Sequence, residues 1–263
     1  MILIRFIFIY FFLLSTYLFS KDLPIIVIAP SKKTQSESNV GASITIFDEK
    51  FFENSDEIFL GDVLSNNSTS TNFFQSGGYG NSSAIQLRGL PKRYSTVYID
   101  GIKMSDPSSV SNDFDFNHIL TSQISRVEIL KGNQSSVYGS GAIGGTINIF
   151  TKKPKKGFHK NFHYNTGSNG LQNFAGLFSG AFNNNSYYLG LERFHTDGIS
   201  AMTHNDEKDR YRNNSIIAKY DHKFLNNLIF KNHLRYTDTY LQYDKIIDKL
   251  NKEIKNLNKA TQV

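Results

Sequence analysis

The chain has 263 residues, which is enough for one large domain or two small ones. It contains no Cys, so disulfides, thiolate metal sites and thiol nucleophiles are excluded. The net charge of +6 is spread along the chain, and neither a helix nor an aromatic stacking motif accompanies the densest Lys cluster, at 152–160, so we expect no nucleic-acid binding. The 22 Phe and 14 Tyr, without Trp, suit β-structure, either a membrane barrel or a soluble sandwich.

Residues 1–20 have the pattern of a secretory signal peptide. Arg5 precedes an apolar run at 6–14, and the segment ends at Ser20 before the charged Lys21. The alternative is an uncleaved membrane anchor, for which the run is barely long enough. In either case the chain leaves the cytoplasm.

Residues 21–40 contain a short β-branched run, 25–29, between Pro24 and Pro30. Two flanking prolines prevent a helix, while an extended run of this kind can add as an edge strand to a partner. The polar residues that follow, 31–39, resemble a linker. The alternative is that the run is the first strand of the following domain.

Residues 41–153 predict a small α+β domain of short strands and glycine turns. A helix is expected at 56–66, where apolar residues fall near one face and Asp56 lies in the first turn. Asp100-Gly101 predicts a tight turn. We expect loops at 73–80 and 105–117 and strands at 43–47, 84–88, 96–99, 124–130 and 145–150.

Residues 154–263 change to segments of about ten residues in which apolar and polar side chains alternate, the length of a tilted transmembrane strand. Short turns at 167–170, 183–185 and 225–227 and a longer loop at 196–214 separate the segments. This pattern fits the start of an antiparallel transmembrane β-barrel, with a soluble sandwich as the alternative. Residues 245–263 are charged and predict loop or helix.

The glycines Gly139, Gly141 and Gly144 have the G-x-G-x-x-G spacing of a dinucleotide-binding loop. Such a loop must open a helix, with an acidic residue about twenty positions later. Here a β-branched segment, 146–150, follows, and neither Asp nor Glu occurs between Glu128 and Glu192. We therefore interpret these glycines as sites of close backbone packing, and the remaining His, Ser and acidic residues form no catalytic set.

Five segments in order resemble the plug domain of TonB-dependent outer-membrane receptors. They are Gln86-Leu87-Arg88-Gly89, Val97-Tyr98-Ile99-Asp100-Gly101, Arg126-Val127-Glu128-Ile129-Leu130-Lys131-Gly132, Ser136-Val137-Tyr138-Gly139 and Gly144-Gly145-Thr146-Ile147-Asn148-Ile149. The resemblance implies a signal peptide at 1–20, a TonB box and linker at 21–40, a plug domain at 41–153 and a partial β-barrel at 154–263. It implies an outer-membrane receptor that is not an enzyme.

The resemblance also assigns residues. The TonB box, which pairs with a TonB-type periplasmic energy transducer, would be Ile25, Ile26, Val27, Ile28 and Ala29. In the family, contacts between plug and barrel would involve Arg88, Arg126 and Glu128. Arg126 and Glu128 are two apart on a strand and so share a face, which the resemblance implies is turned toward the barrel wall. Structural glycines would be Gly89, Gly101, Gly132, Gly139, Gly144 and Gly145.

The ligand expected from the resemblance is cobalamin, because the short plug loops and the stretch 195–201 resemble the cobalamin-importing branch. A ferric siderophore or haem is the alternative within the family, and a secreted soluble β-rich binding protein is the alternative outside it. The floor of the ligand site would comprise Tyr79, Asn81, Ser105, Asp106 and Ser108. Asp206, Glu207 and Asp209 are candidate calcium ligands, with a solvated acidic loop as the alternative. Receptors of this family close barrels of about 22 strands, so a chain with about five candidate strands is expected to be truncated.

Overall fold

The computed structural model describes residues 26–27, 35–36, 41–107, 109, 113–200, 208–225, 228–244 and 257–262. The first pair of strands, β1 (Ile26–Val27) and β2 (Gln35–Ser36), forms a two-residue antiparallel ladder. The predicted signal peptide lies outside the described residues, as do Ile25, Ile28 and Ala29. Within the described part, the molecule has no helix that is both long and apolar enough to cross a membrane.

The residues from Ser43 to Thr151, called the N-terminal domain below, are built on a five-stranded sheet of order β3-β8-β9-β6-β7, antiparallel except between β6 and β9. A separate hairpin pairs β4 with β5. The elements are, in chain order, β3 (Ser43–Phe47), α1 (Glu49–Glu53), α2 (Leu60–Asn67), β4 (Thr71–Gln75), β5 (Ser83–Leu87), a 3-10 turn (Lys92–Tyr94), β6 (Ser95–Ile99), β7 (Ile102–Met104), β8 (Ile124–Lys131), α3 (Ser135–Tyr138) and β9 (Gly145–Thr151).

The predicted strands of this domain are confirmed to within a residue, while two other predictions were wrong. The helix expected at 56–66 begins at Leu60, because Phe59 is extended, and Asp56 therefore lies before it. In the segment 73–80, predicted as loop, the first three residues belong to strand β4, which ends at Gln75. Helix α1 was not predicted; its N-cap is Asp48, whose carboxylate accepts a hydrogen bond from the Phe51 amide at 2.9 Å.

One hydrophobic core fills the N-terminal domain between the sheet and α2. Leu60, Val63 and Leu64 of the helix are fully buried, and they pack against apolar residues of the strands. Strands β8 and β9 are buried at almost every position, because one face meets this core and neighbouring structure covers the other. The domain thus has an apolar interior of its own.

The remaining strands form a second, antiparallel sheet in strict chain order. They are β10 (Gly157–Thr166), β11 (Gln172–Phe182), β12 (Asn185–Thr196), β13 (Tyr211–Leu225), β14 (Leu228–Asp244) and β15 (Leu257–Gln262). At one end of this sheet only two residues of sequence separate β11 from β12 and β13 from β14, while at the other end longer stretches of sequence connect β10 to β11, β12 to β13 and β14 to β15. The five predicted strands are confirmed. The prediction of loop or helix over 245–263 was wrong at 257–262, where β15 pairs with β14, and residues 245–256 and 263 lie outside the described residues.

The alternation predicted from the sequence appears as two distinct faces of this sheet. Because directly paired residues of antiparallel strands share a face, the register assembles an outward apolar face from all of these strands through β14. Its large exposed members are Phe158, Phe162, Tyr164, Phe174, Phe182, Leu189, Leu191, Tyr220, Phe230, Leu234 and Tyr236. The inward face is mostly polar on β12 and β13 and packs on the N-terminal domain.

Candidate functional site

The contact surface between the N-terminal domain and the inward face of the second sheet is the site that the structure assembles. Its most buried ion pair joins Lys219 Nζ of β13 to Asp100 Oδ2 at 3.0 Å, with side chains 4% and 16% exposed. Asp100 Oδ1 also accepts from the Thr151 amide at 2.9 Å, and Lys219 Nζ donates to the Thr151 carbonyl at 3.3 Å. Lys219 therefore links the sheet to the Asp100 turn and to the end of β9.

A second polar contact surrounds Glu192, an inward residue of β12 that is almost completely buried. Its carboxylate accepts hydrogen bonds from Ser122 Oγ of the N-terminal domain and, at 3.1 Å, from Asn173 Nδ2 of β11. Gly190 lies two residues earlier on the same face, and a Cβ there would come within 2.5 Å of Gln123 Oε1. The absent side chain lets the N-terminal domain approach the sheet closely.

Nearer the end with the long connections, aromatic rings join the two parts. Phe194 and Tyr211 of the sheet are fully buried against Phe59, with ring centroids 4.9 and 6.2 Å from that residue. The Tyr211 hydroxyl lies 3.0 Å from His118 Nδ1 and donates to the Asn117 carbonyl at 3.2 Å. These contacts fix the segment after β7 against the sheet.

His118 is one titratable group of the N-terminal domain at this aromatic contact. Burial lowers its pKa below the ordinary value, an effect that Asp115 opposes and Arg235 reinforces. Protonation of this imidazole is therefore disfavoured while the contact is formed.

The three residues predicted from the resemblance to hold plug and barrel together lie on or beside the five-stranded sheet. Arg126 Nε and Glu128 Oε1, both on β8, are 2.7 Å apart, and the Glu128 side chain is fully buried. Arg88 follows β5 with φ +54° and lies close to Lys131, whose pKa is lowered by burial and, secondarily, by Arg88. Their contact with a barrel wall stays a prediction.

The loops predicted to form a ligand floor are joined at their bases. Ser83 Oγ donates to Asp115 Oδ1 at 2.5 Å and accepts from the Phe116 amide at 3.1 Å, so the residue that follows the loop 76–82 is joined to the chain just after the second loop. Lys92 Nζ lies 3.6 Å from Asp113 Oδ2, which places a cation beside loops that themselves lack Lys and Arg.

The individual floor residues differ in their surroundings. Tyr79 is 39% exposed while its ring stacks on Phe59 at 5.1 Å. Asn81 Nδ2 donates to the Gly78 carbonyl at 3.2 Å. The Asp106 amide donates to the Asp113 carbonyl at 3.0 Å. Ser105 is exposed just after β7, and Ser108 lies outside the described residues.

Among the predicted structural glycines, Gly144 and Gly145 lie where the chain enters β9. Gly145 has φ +146°, and a Cβ there would overlap the Leu130 carbonyl oxygen on the paired strand. A Cβ on Gly144 would lie 3.1 Å from the Tyr94 carbonyl oxygen. The other four predicted glycines, Gly89, Gly101, Gly132 and Gly139, have φ between +76° and +110°. The G-x-G-x-x-G segment thus precedes a strand, not a helix.

The candidate calcium ligands are only partly described. Asp206 and Glu207 lie outside the described residues, and Asp209 is buried. Asp197, another described carboxylate of the same connection, is paired with Lys208 at 3.1 Å and lies 3.5 Å from Arg210. Across the described ranges, no group of three His, Cys, Asp or Glu residues is arranged to hold a metal ion. Calcium binding stays a prediction.

Sequence reasoning missed the residues of the sheet that contact the N-terminal domain: Lys219, Glu192 and Tyr211. A usable signal was present in the alternation, because each of these residues occupies the phase opposite to the outward apolar residues. A charged residue on the inward phase of such a strand requires a polar partner. The pattern does not identify the partner, since Asp100 and Ser122 are distant in sequence.

Comparison with known proteins agrees with this architecture. The family described as TonB-dependent Receptor Plug Domain matches residues 36–146. The vitamin B12 transporter BtuB of Photobacterium profundum is 29% identical over 147 residues, which cover 55% of this chain and 24% of the transporter. The chain thus spans about a quarter of the length of that relative.

Solved structures share the fold. The pyoverdine outer membrane receptor FpvA from Pseudomonas aeruginosa PAO1 superposes with a TM-score of 0.69 at 18% identity, covering 82% of this chain and 30% of that receptor. The ferric yersiniabactin uptake receptor FyuA from Yersinia pestis gives a TM-score of 0.60 at 20% identity, over 77% and 32% of the two chains. The chain therefore contains a plug domain of the TonB-dependent receptors, a family of outer-membrane proteins, followed by the first strands of a barrel sheet.

Proposed function

We propose that the protein acts in energised uptake of a large, scarce ligand across the outer membrane, with the plug as the part that is displaced. The observation that carries this proposal is the mixed contact surface between plug and barrel sheet. The Lys219–Asp100 pair, the hydrogen bonds of Glu192 and one small aromatic cluster around Phe59 join the two parts, whereas the larger hydrophobic core lies within the plug.

This distribution suits a plug that moves against a fixed wall. Polar groups that separate in a wet lumen can exchange their partners for water, so that the net cost per hydrogen bond is about 0.5–1.5 kcal/mol. Exposure of an apolar core costs about 25 cal/mol for each Å² of apolar surface. The plug therefore moves away from the wall at lower cost than it unfolds, and Arg88, Arg126 and Glu128 would add contacts of the same polar kind.

The energy would enter through the segment Ile25, Ile26, Val27, Ile28 and Ala29, proposed to pair as a strand with a TonB-type periplasmic protein. Ile26 and Val27 already adopt strand geometry against Gln35 and Ser36, in a ladder of only two residues. A two-stranded ribbon of this length has little stability of its own. A partner strand that offers a longer ladder would replace it.

The test of this step is Ile26→Pro in the gene in its natural host. Proline removes a ladder donor, so uptake is expected to fall to the level of a deletion strain while ligand binding stays unchanged. The matched control is Gln35→Pro, which removes the internal ladder from the other strand and leaves the TonB box intact. Normal uptake by Ile26→Pro, or equal loss in both variants, would reject pairing of this segment with the energy transducer.

The ligand that we propose is a cobalamin-type corrinoid, held in part by Tyr79, Asn81, Ser105, Asp106 and Ser108. The similarity to a vitamin B12 transporter supports it. So does the low net charge of the loops, where Lys92 balances Asp113. Polar loops rich in Gly, Ser and Asn offer backbone and amide groups to an amide-rich ligand, whereas an anionic chelate is better met by several Arg or Lys.

A ferric siderophore is the second candidate, and the exposed ring of Tyr79 favours it because an aromatic face suits a planar chelating group. Titration of the purified receptor with cyanocobalamin and with ferric siderophores, each followed by quenching of intrinsic tyrosine fluorescence, separates the two. Binding of cobalamin alone is expected. Binding of a siderophore alone would overturn the corrinoid proposal and leave the proposed uptake unaffected.

A further inference from the structure

The outward face of the barrel sheet carries a cluster of cations at one end. Residues that pair across neighbouring strands form rows that cross the sheet. In the first row beyond the apolar residues Leu191 and Ile216, Arg193 of β12 lies between Phe174 and Asn214 on the neighbouring strands. In the next row, Arg212 of β13 lies between His195 and Tyr240. The register therefore brings two guanidinium groups to adjacent strands and adjacent rows of one face.

This end of the sheet is the end with the long connections, which in transmembrane barrels is the external one. The connection 197–210 adds Lys208 and Arg210, whose side chains are both 56% exposed. Apolar side chains lie immediately below the two arginines, in the row formed by Leu191, Ile216 and Tyr236. Cations and an apolar surface are thus continuous at the height where headgroups meet acyl chains.

The ion pairs among the described residues of the cluster involve two carboxylates. Asp197 pairs with Lys208 and Arg210, and Asp238 pairs with Arg212. Arg193 is exposed, and the described residues offer it no ion pair. Arg212 lies 3.6 Å from Asp238 and is 41% exposed, so that pair contributes little and is open to exchange.

The asymmetry of the outward face argues against an ordinary solvated rim. From the row of Leu191 toward the end with the short turns, the described outward side chains include a single cation, Lys160, on the edge strand β10. At the end with the short turns, the outward polar residues are neutral Asn185 and Asn232, with His222. A solvated rim would carry charge at both ends.

We propose that Arg193 and Arg212, with Arg210 beside them, bind the phosphate of a phosphorylated glycolipid in the external leaflet. The acyl chains of this lipid would lie on Leu191, Ile216 and Tyr236. Guanidinium groups bind phosphate through two parallel hydrogen bonds, and a phosphate carries more charge than the carboxylates it would displace. The site is separate from ligand uptake and rests only on the outward face lying in the membrane.

The test uses the purified 263-residue chain in non-ionic detergent micelles containing either bis-phosphorylated lipid A or the same lipid after removal of both phosphates. We expect the wild-type chain to bind the phosphorylated form at least about tenfold more tightly, as measured by native mass spectrometry. The double variant Arg193→Gln with Arg212→Gln should lose most of this preference. Lys160→Gln, which removes a cation from the same outward face, should keep it.

The comparison of the two lipids needs no variant, so the proposal is testable even if the double variant folds poorly. Equal binding of both lipids by the wild-type chain would overturn it. So would an unchanged phosphate preference in a double variant with wild-type β-sheet circular dichroism, or an equal loss in Lys160→Gln. Uptake of ligand is expected to be the same in all variants, so failure here and failure of the proposed function are distinguishable.

Discussion

The plug and the barrel sheet obtain their buried surfaces in opposite ways. Strands β8 and β9 of the plug are buried along almost their whole length, and an apolar core lies between them and α2. Strands β11 and β12 of the barrel sheet alternate instead, with an exposed apolar face and a buried face that includes Glu192 and Asn173. The plug buries an apolar core within itself. The sheet, by contrast, packs its inward face on the plug and presents its apolar outward face to the membrane.

The largest loss of stability is expected from Gly145→Val, which tests whether the plug folds as an independent unit. The new side chain would meet the Leu130 carbonyl oxygen at a backbone φ of +146°, which β-branched residues do not adopt. We expect a loss of about 4 kcal/mol or more, enough to prevent folding of the plug. Thermal unfolding of residues 41–153 measures it.

The matched control for this change is Gly78→Val, on an exposed loop where a Cβ meets nothing within 4 Å. Its melting temperature should stay close to that of the unaltered plug. A Gly145→Val plug that melts like the control would show that the start of β9 tolerates a side chain.

The second effect tests whether the core belongs to the plug alone. Ile129→Ala removes a fully buried side chain of β8 and should destabilise the plug by about 3–4 kcal/mol, through lost burial and the cavity left behind. Leu234→Ala on the outward face, where the side chain is 56% exposed, should cost less than about 1 kcal/mol in detergent. Urea unfolding of each variant gives the two free energies. Similar costs at the two positions would contradict the proposed division between the regions.

The third effect concerns the contact between the regions. Lys219→Met leaves the Asp100 carboxylate without its cation, and we expect docking of the plug to weaken by about 2–3 kcal/mol, somewhat less than for a fully buried pair because Thr151 still donates to Asp100. The Lys-rich junction 152–156 should then be cut by trypsin at least about 30-fold faster, since cleavage follows the population of the open form.

A double variant provides the control for this prediction. Asp100→Asn retains an acceptor for Thr151 and removes the charge. The double variant, Lys219→Met with Asp100→Asn, should therefore lower the free energy of opening by less than the two single variants do together. Strict additivity would indicate that the two residues act independently and that the pair does not hold the plug.

The smallest effect is a pH dependence of the same contact, through His118. Burial lowers the pKa of this imidazole, Asp115 opposes the shift and Arg235 reinforces it, so the unfolded chain binds the proton more readily than the folded one. Stability is therefore greatest above the ordinary histidine pKa of about 6.5 and decreases as the pH falls below it. The trypsin assay, or unfolding at pH 7.5 and pH 5.0, should show this decrease in the wild type and a smaller one in His118→Gln. An equal decrease in both would assign the pH dependence to other groups.

The local sequence pattern was sufficient to predict many of the strands and turns. Strand 124–130 was predicted because its residues are β-branched and apolar, and the tight turn at Asp100-Gly101 because Gly supplies positive φ; the structure has both. Helix α1 was missed because five residues are too short for a periodicity signal, and its start depends on the Asp48 cap. The start of α2 was misplaced because Phe59 is held in an extended conformation by its pairing with Leu120, a contact far away in sequence.

What the sequence by itself determined is the position of most strands, the phase of each barrel strand and the resemblance to the family, because period, turn residues and ordered motifs are local properties. Only the tertiary structure decided which residues meet across the two regions. Lys219 follows Asp100 by more than a hundred residues, and Tyr211 follows His118 by 93. Their meeting depends on how six strands pair in register and on which side of the sheet the plug lies, so no local pattern could identify these partners.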